Sequence, residues 1–140
     1  MIQRVCKLDD LESFACEIRD IAKDCGVILL RGDLASGKTT FVQSFAKVLG
    51  LKADVTSPTF SVQNRYGENL YHYDIYQNGI DGFLSSGLLE ELEKEGYHLI
   101  EWGDEKLEAV LKSYFIDYIV IDIDKQSDKH RVYKVKKCIN

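Results

Sequence analysis

Val27-Ile28-Leu29-Leu30-Arg31-Gly32-Asp33-Leu34-Ala35-Ser36-Gly37-Lys38-Thr39-Thr40-Phe41 is the stretch that decides the fold. Its first part, Val27 to Leu30, is an unbroken apolar run, as a strand covered on both faces requires. Its middle, Gly32 to Thr39, matches G-x-x-x-x-G-K-[ST]. A helix is expected from Lys38 to Leu49: Phe41, Phe45, Val48 and Leu49 share one side, and Gly50 ends it. Background residue frequencies put a chance match at roughly one in 200 for a chain of this size. The flanking strand and helix supply the context the motif needs.

Each part of the motif has a physical task. The loop Gly32, Asp33, Leu34, Ala35, Ser36 and Gly37 must turn backbone N–H groups inward around phosphate oxygens, and glycine permits the dihedrals and the close approach. The helix start adds unsatisfied N–H groups and a favourable dipole. Lys38 is expected to reach the β- and γ-phosphates, and the Thr39 hydroxyl to ligate Mg²⁺. The expected ligand is a purine triphosphate with Mg²⁺, most readily ATP. Mg²⁺ takes one or two carboxylates beyond phosphates and waters. Glu101, closing Tyr97-His98-Leu99-Ile100, and Asp74, within Leu70 to Ile75, both fit, and both also fit a charge marking where a strand meets solvent. Thr56-Ser57-Pro58-Thr59 lies one helix beyond the loop, where a segment sensing the γ-phosphate would sit, and it also reads as an ordinary polar turn.

Outward from this centre, Ile2 to Leu8 reads as a strand, and Asp9 with Glu12 as a capping box for a helix starting near Asp10. Leu11, Phe14, Ala15, Ile18, Ile21 and Ala22 form that helix's apolar face, and Gly26 stops it. Phe60 to Arg65 and Leu70 to Ile75 read as a hairpin around Gly67-Glu68-Asn69. Gly79, Gly82 and Gly87 read as breaks in a connecting stretch, with a short helix around Leu88, Leu89 and Leu92. Tyr97 to Ile100 is a strand, Asp104 caps a helix carrying Leu107, Val110 and Leu111, and Ile116–Ile123 and Arg131–Val135 are late strands. The pattern predicts one α/β domain over residues 1–140, a P-loop NTPase-like three-layer α/β/α fold with a mixed central sheet.

The 140 residues carry a net charge of −5 with 45% apolar types, an ordinary globular composition. Residues 125–140 hold six basic groups against Asp128 alone, so the rest is markedly acidic and ill suited to gripping nucleic acid directly. Cys6, Cys16, Cys25 and Cys138 form no CxxC pair, which argues against zinc and for free thiols in a reducing cytosol. No run approaches 18 apolar residues, so neither a membrane span nor a secretory leader is expected, and a cytoplasmic location is.

Four segments together resemble the TsaE (formerly YjeE) family of P-loop ATPases: Gly32–Phe41, Val55-Thr56-Ser57-Pro58-Thr59-Phe60, Tyr71-His72-Tyr73-Asp74-Ile75-Tyr76, and Ile100-Glu101-Trp102. The resemblance implies an ATP-binding and weakly ATP-hydrolysing accessory protein of bacterial tRNA threonylcarbamoyladenosine synthesis. Such a protein drives or resets turnover of TsaD and TsaB, meets tRNA only through that complex, and is monomeric when free. It implies that Lys38 binds phosphate together with the loop and Thr40, and that Thr39 and Glu101 hold Mg²⁺. Thr56 would belong to the γ-phosphate switch, Asp74 would serve hydrolysis, Trp102 would lie near the nucleotide, and Arg131 would contact nucleotide or partner. The chain departs from the family pattern at Ala35-Ser36 (usually Gly-Ala), at Gln77 (usually Arg) and at Gly103 (commonly Pro). A small-molecule or nucleotide kinase shares the loop but needs an arginine-rich lid, and no arginine cluster occurs. A nucleotide-gated docking module without useful hydrolysis is the third reading.

Overall fold

A computed structural model describes residues 2–24, 26–33, 36–51, 63–75, 79–85 and 87–139. The described strands are β1 (Ile2–Cys6), β2 (Val27–Arg31), β3 (Gln63–Tyr66), β4 (Leu70–Asp74), β5 (Tyr97–Glu101), β6 (Tyr118–Lys125) and β7 (Arg131–Cys138). They form one sheet in the order β1-β7-β6-β2-β5-β4-β3. The four middle strands β6, β2, β5 and β4 run parallel, while β1, β7 and β3 are joined antiparallel. The sheet is therefore mixed, as its two hairpins foretold.

The helices are α1 (Leu11–Ile21), α2 (Lys38–Val48), α3 (Gly79–Ser85), α4 (Leu88–Glu91) and α5 (Glu105–Ser113). Helices α1 and α2 cover one face. Phe14, Ile18, Phe41 and Phe45 pack there against Ile28, Leu30, Leu99 and Ile121. On the other face Leu92 and the α5 residues Leu107 and Leu111 pack with Val27, Leu29, Tyr73, Ile100 and Tyr118. Strand alternation accounts for the split: even positions of β2 face α2 and odd positions face α5. Three layers result, with an acidic and basic exterior around two dry seams. Among the described residues no helix is long and apolar enough to cross a membrane.

Three local readings need correction. Asp9 and Glu12 form no capping box. A 3₁₀ turn at Leu8–Asp10 precedes α1, and Asp10 Oδ2 accepts the Lys7 N–H at 3.0 Å. Gly79 and Gly82 do not break the chain but lie in α3, whose tertiary setting outweighs the helix cost of glycine. The first strand stops at Cys6 rather than Leu8, and the late strands shift to Tyr118–Lys125 and Arg131–Cys138. Of the Phe60–Arg65 strand, residues 60–62 lie outside the described residues.

Helix α5 is well capped at both ends. Asp104 Oδ1 accepts the N–H groups of Lys106 and Leu107, each at 3.1 Å. At the other end the Phe115 N–H bonds Lys112 O and the Ile116 N–H bonds Leu111 O, the two bonds of a Schellman stop. The residue at the left-handed position is Phe115, with φ +58° and 82% of its surface exposed, where glycine is usual. A non-glycine residue there costs about 1–2 kcal/mol, part of which a glycine returns through its freer unfolded chain. Phe115→Gly is therefore expected to raise unfolding stability by about 0.5–1 kcal/mol in urea titration.

Candidate functional site

The motif sits where the sheet was expected to put it: β2 ends at Arg31, the loop turns, and α2 begins at Lys38. Gly32 is there for space. A Cβ on it would stand 2.4 Å from Ser36 Oγ and 2.7 Å from Ile123 O. Gly37 is there for conformation. It caps α2 with φ +110°, and a Cβ on it would meet only Arg131 Nε at 3.9 Å. The first turn of α2 carries no acidic residue and its cap gives no side-chain hydrogen bond. Its N–H groups are thus left for an anion. Leu34 and Ala35 lie outside the described residues, as do Thr56 and Gln77.

Lys38 is only 5% exposed. Its Nζ donates to Gly32 O at 2.7 Å and to Asp33 O at 2.9 Å, so the ammonium ties the loop into a ring. The Trp102 ring lies 4.0 Å from the same Nζ, a cation–π contact. Trp102 is half-buried, packs on the α5 side of the sheet, and has φ +68°, a strained conformation for a bulky residue. Burial pushes the Lys38 ammonium below the usual lysine range, and the charges of Glu101, Asp74 and Asp33 oppose that shift. Trp102 is thus both core and site.

Glu101 closes β5 and is 3% exposed. Thr39 Oγ1 lies 3.0 Å from its Oε2 and 3.3 Å from its Oε1. A hydroxyl that gives its proton to a carboxylate keeps its lone pairs for a cation, and both groups are hard oxygen donors. This pair fits Mg²⁺. No cluster of three or more His, Cys, Asp or Glu suited to a metal occurs among the described residues, so any cation here would depend on ligand oxygens as well. Asp74 is half-buried and stands opposite Glu101 in the β4–β5 register. The structure thus gathers Lys38, Thr39, Asp74, Glu101 and Trp102 at the carboxyl ends of β2, β4 and β5, the place where open α/β sheets take ligands.

Two groups sharpen this picture beyond what the residue pattern offered. His72, on the same face of β4 as Asp74, is fully buried and places Nε2 on Glu101 Oε2. Its two-residue spacing from Asp74 in an apolar strand was the available signal. Arg31 Nε donates to Gly103 O at 2.7 Å, and its Nη2 pairs with Glu108 Oε2 at 2.5 Å. Burial alone would raise the Glu108 carboxyl, but hydrogen bonds from Arg31 and Tyr118 and the charges of Arg31 and Lys112 hold it below its ordinary value. Gly103 also packs tightly, since a Cβ there would meet Leu107 Cδ2 at 2.9 Å. The end of β2 is thereby strapped to the turn after Trp102.

Arg131 approaches the loop from β7. Its Nε donates to Ser36 O at 2.9 Å, and its Nη1 to Ser127 O at 2.7 Å and His130 O at 3.2 Å. It braces the loop's outer side. Beside it a cavity of about 190 Å³ opens between Cys6, Leu8, Leu11, Gly37, Thr40 and Arg131.

The family model for "Threonylcarbamoyl adenosine biosynthesis protein TsaE" matches residues 5–133. The chain belongs to the TsaE family. Proteins named tRNA threonylcarbamoyladenosine biosynthesis protein TsaE resemble it along much of its length. That of Aquifex aeolicus (strain VF5) is 36% identical over 78% of this chain and 83% of its own. That of Treponema pallidum (strain Nichols) is 35% identical over 69% and 73%. That of Bacillus subtilis (strain 168) is 38% identical over 65% of this chain and 64% of its own length, so the match spans less than two thirds of that relative. A crystal structure of Bacillus subtilus YdiB shares the fold with TM-score 0.67 at 26% identity, covering 99% of this chain and 86% of that one. The P-loop NTPase-like three-layer fold and the place of this family in threonylcarbamoyladenosine biosynthesis stand together on these findings.

The Arg131 brace makes a direct test. Arg131→Ala is expected to lower unfolding stability by about 1–2 kcal/mol in urea titration, the worth of one or two charge-assisted hydrogen bonds. Arg131→Lys should recover little of it, because an ammonium cannot span Ser36 O and Ser127 O as the guanidinium fork does.

Proposed function

We propose that the protein binds ATP with Mg²⁺ at Gly32–Thr40 and hydrolyses it weakly alone and faster with TsaD and TsaB, driving or resetting their turnover in bacterial threonylcarbamoyladenosine synthesis. One observation carries this reading: a buried ammonium, a hydroxyl and a buried carboxylate converge at an uncapped helix start. Burying the Lys38 ammonium and the Glu101 carboxylate is costly unless charge and hydrogen bonds compensate. A polyphosphate would add an anion beside the Lys38 ammonium, and a divalent cation would add a counter-charge beside Thr39 and Glu101.

In this reading the loop amides and Lys38 receive the β- and γ-phosphates, with Thr40 beside the α-phosphate. The cavity walled by Cys6, Leu8 and Leu11 takes the nucleoside, its apolar side lying against the base. Thr39 and Glu101 would hold Mg²⁺, which supplies charge neutralisation of the phosphates when bound. Asp74, on the same face as Glu101, holds a water or the outer metal shell, and its charge supports the Lys38 ammonium. Trp102 covers Lys38 and excludes water from it. Thr56 belongs to the segment that would sense the γ-phosphate. A site that waits for a partner to complete charge stabilisation and water placement is slow on its own. The acidic body and the absence of any expected direct grip on tRNA agree with work through protein partners.

Two measurements test the proposal. Calorimetry with ATP or ADP and Mg²⁺ should show uptake that Lys38→Ala removes, and ATP turnover should rise when purified TsaD and TsaB are added. No uptake by the protein, alone or with both partners, would refute it. The Lys38 shift adds a pH signature. Phosphate favours the charged ammonium, so affinity is full below the free protein's lowered pKa and declines as pH rises through it. The decline should begin at lower pH than for an ordinary lysine, and the Lys38→Arg variant should lack it.

A further inference from the structure

His72 is a buried polar group that touches the site and to which the proposed reaction gives no task. It lies mid-strand in β4, is 0% exposed, and its neighbours in the register are apolar apart from Asn64. Its Nε2 contacts Glu101 Oε2, and its Nδ1 has no hydrogen-bond partner among the described residues. A carboxylate only accepts, so Nε2 is the donor in this contact. The same oxygen, Oε2, also receives the Thr39 hydroxyl at 3.0 Å.

In place of His72, an apolar side chain of the same size would remove the unpartnered nitrogen, but with it the donor that the buried Glu101 carboxylate receives. The benefit falls on Glu101. Its strand-end carboxylate has one rotatable arm, and Thr39 approaches both of its oxygens from the helix side. A donor fixed in the sheet removes the remaining rotation and decides which oxygen turns inward.

We propose that His72 is a positioning residue for Glu101, fixing the carboxylate so that it and Thr39 face a divalent cation together. The proposal rests on the Mg²⁺-nucleotide reading above. Outer partners of this kind set cation affinity by about 10–100-fold without touching the cation. Because His72 acts only through Glu101, its loss changes cation-dependent binding and leaves metal-free nucleotide binding alone.

The test compares wild type, His72→Phe, His72→Leu and His72→Gln, each checked for folding by circular dichroism. ADP affinity is measured by calorimetry in EDTA, then with Mg²⁺, and Mg²⁺ is titrated into the ADP complex using Trp102 fluorescence. Expected is a 10–100-fold rise in the Mg²⁺ needed for half-saturation in the Phe and Leu variants, with ADP affinity in EDTA within about twofold. His72→Gln, whose amide can reach the Nε2 position, should recover most of it. In a Glu101→Gln background His72→Phe should have no further effect. Equal losses with and without Mg²⁺, or no loss, overturn the proposal. If the apolar variants do not fold, a His72→Gln Mg²⁺ requirement unlike wild type overturns it and one close to wild type supports it. Wild type that takes up no nucleotide overturns the parent reading and this one together. Wild type that binds while the variants match it overturns this one only.

Discussion

A buried ammonium governs the centre of this molecule. Lys38 has been withdrawn almost wholly from water, and two loop carbonyls plus an indole face are what it receives in exchange. Desolvating a cation is expensive unless it is paired, so the groups around it are held in place with unusual care. Gly32 comes close enough to Ser36 and Ile123 to admit no Cβ. Trp102 accepts a left-handed backbone to lay its ring where it does. Arg31 and Glu108 fasten the turn that carries it. The left-handed Trp102 is a local cost, and the Arg31–Glu108 pair helps to hold it in place.

The architecture was legible because its signals are periodic and dense. The apolar run of β2, the helical spacing of α1 and α2, and the two glycine-centred turns each carry their reading in a handful of residues. Helix α3 was hidden because glycine argues against helix locally, and tertiary placement prevailed. The cap of α1 was missed by one turn: aspartates at 9 and 10 offer two registers, and the chain uses the one in which Asp10 serves Lys7.

The site was legible in part, for a related reason. Lys38, Thr39 and Glu101 belong to motifs whose chemistry is written in adjacent residues, and the fold brings them together. For Arg131 the resemblance implies contact with nucleotide or partner, while its bond to Ser36, 95 residues away, leaves no local trace in the sequence. His72 was passed over as one polar letter in an aromatic strand. Only the parallel pairing of β4 with β5 shows that Glu101 is within its reach. Arg31 was likewise silent until Glu108 and Gly103 were seen beside it.

The long reach of Arg131 has a consequence for how the protein comes to life. Strand β7 is made long after the glycine-rich loop, yet it carries the side chain that steadies it across 95 residues of sequence. A nascent chain that has just released α2 already owns every letter of its glycine-rich motif. It still lacks the guanidinium that holds the motif's shape. The loop gains that brace only once β7 has paired along β6.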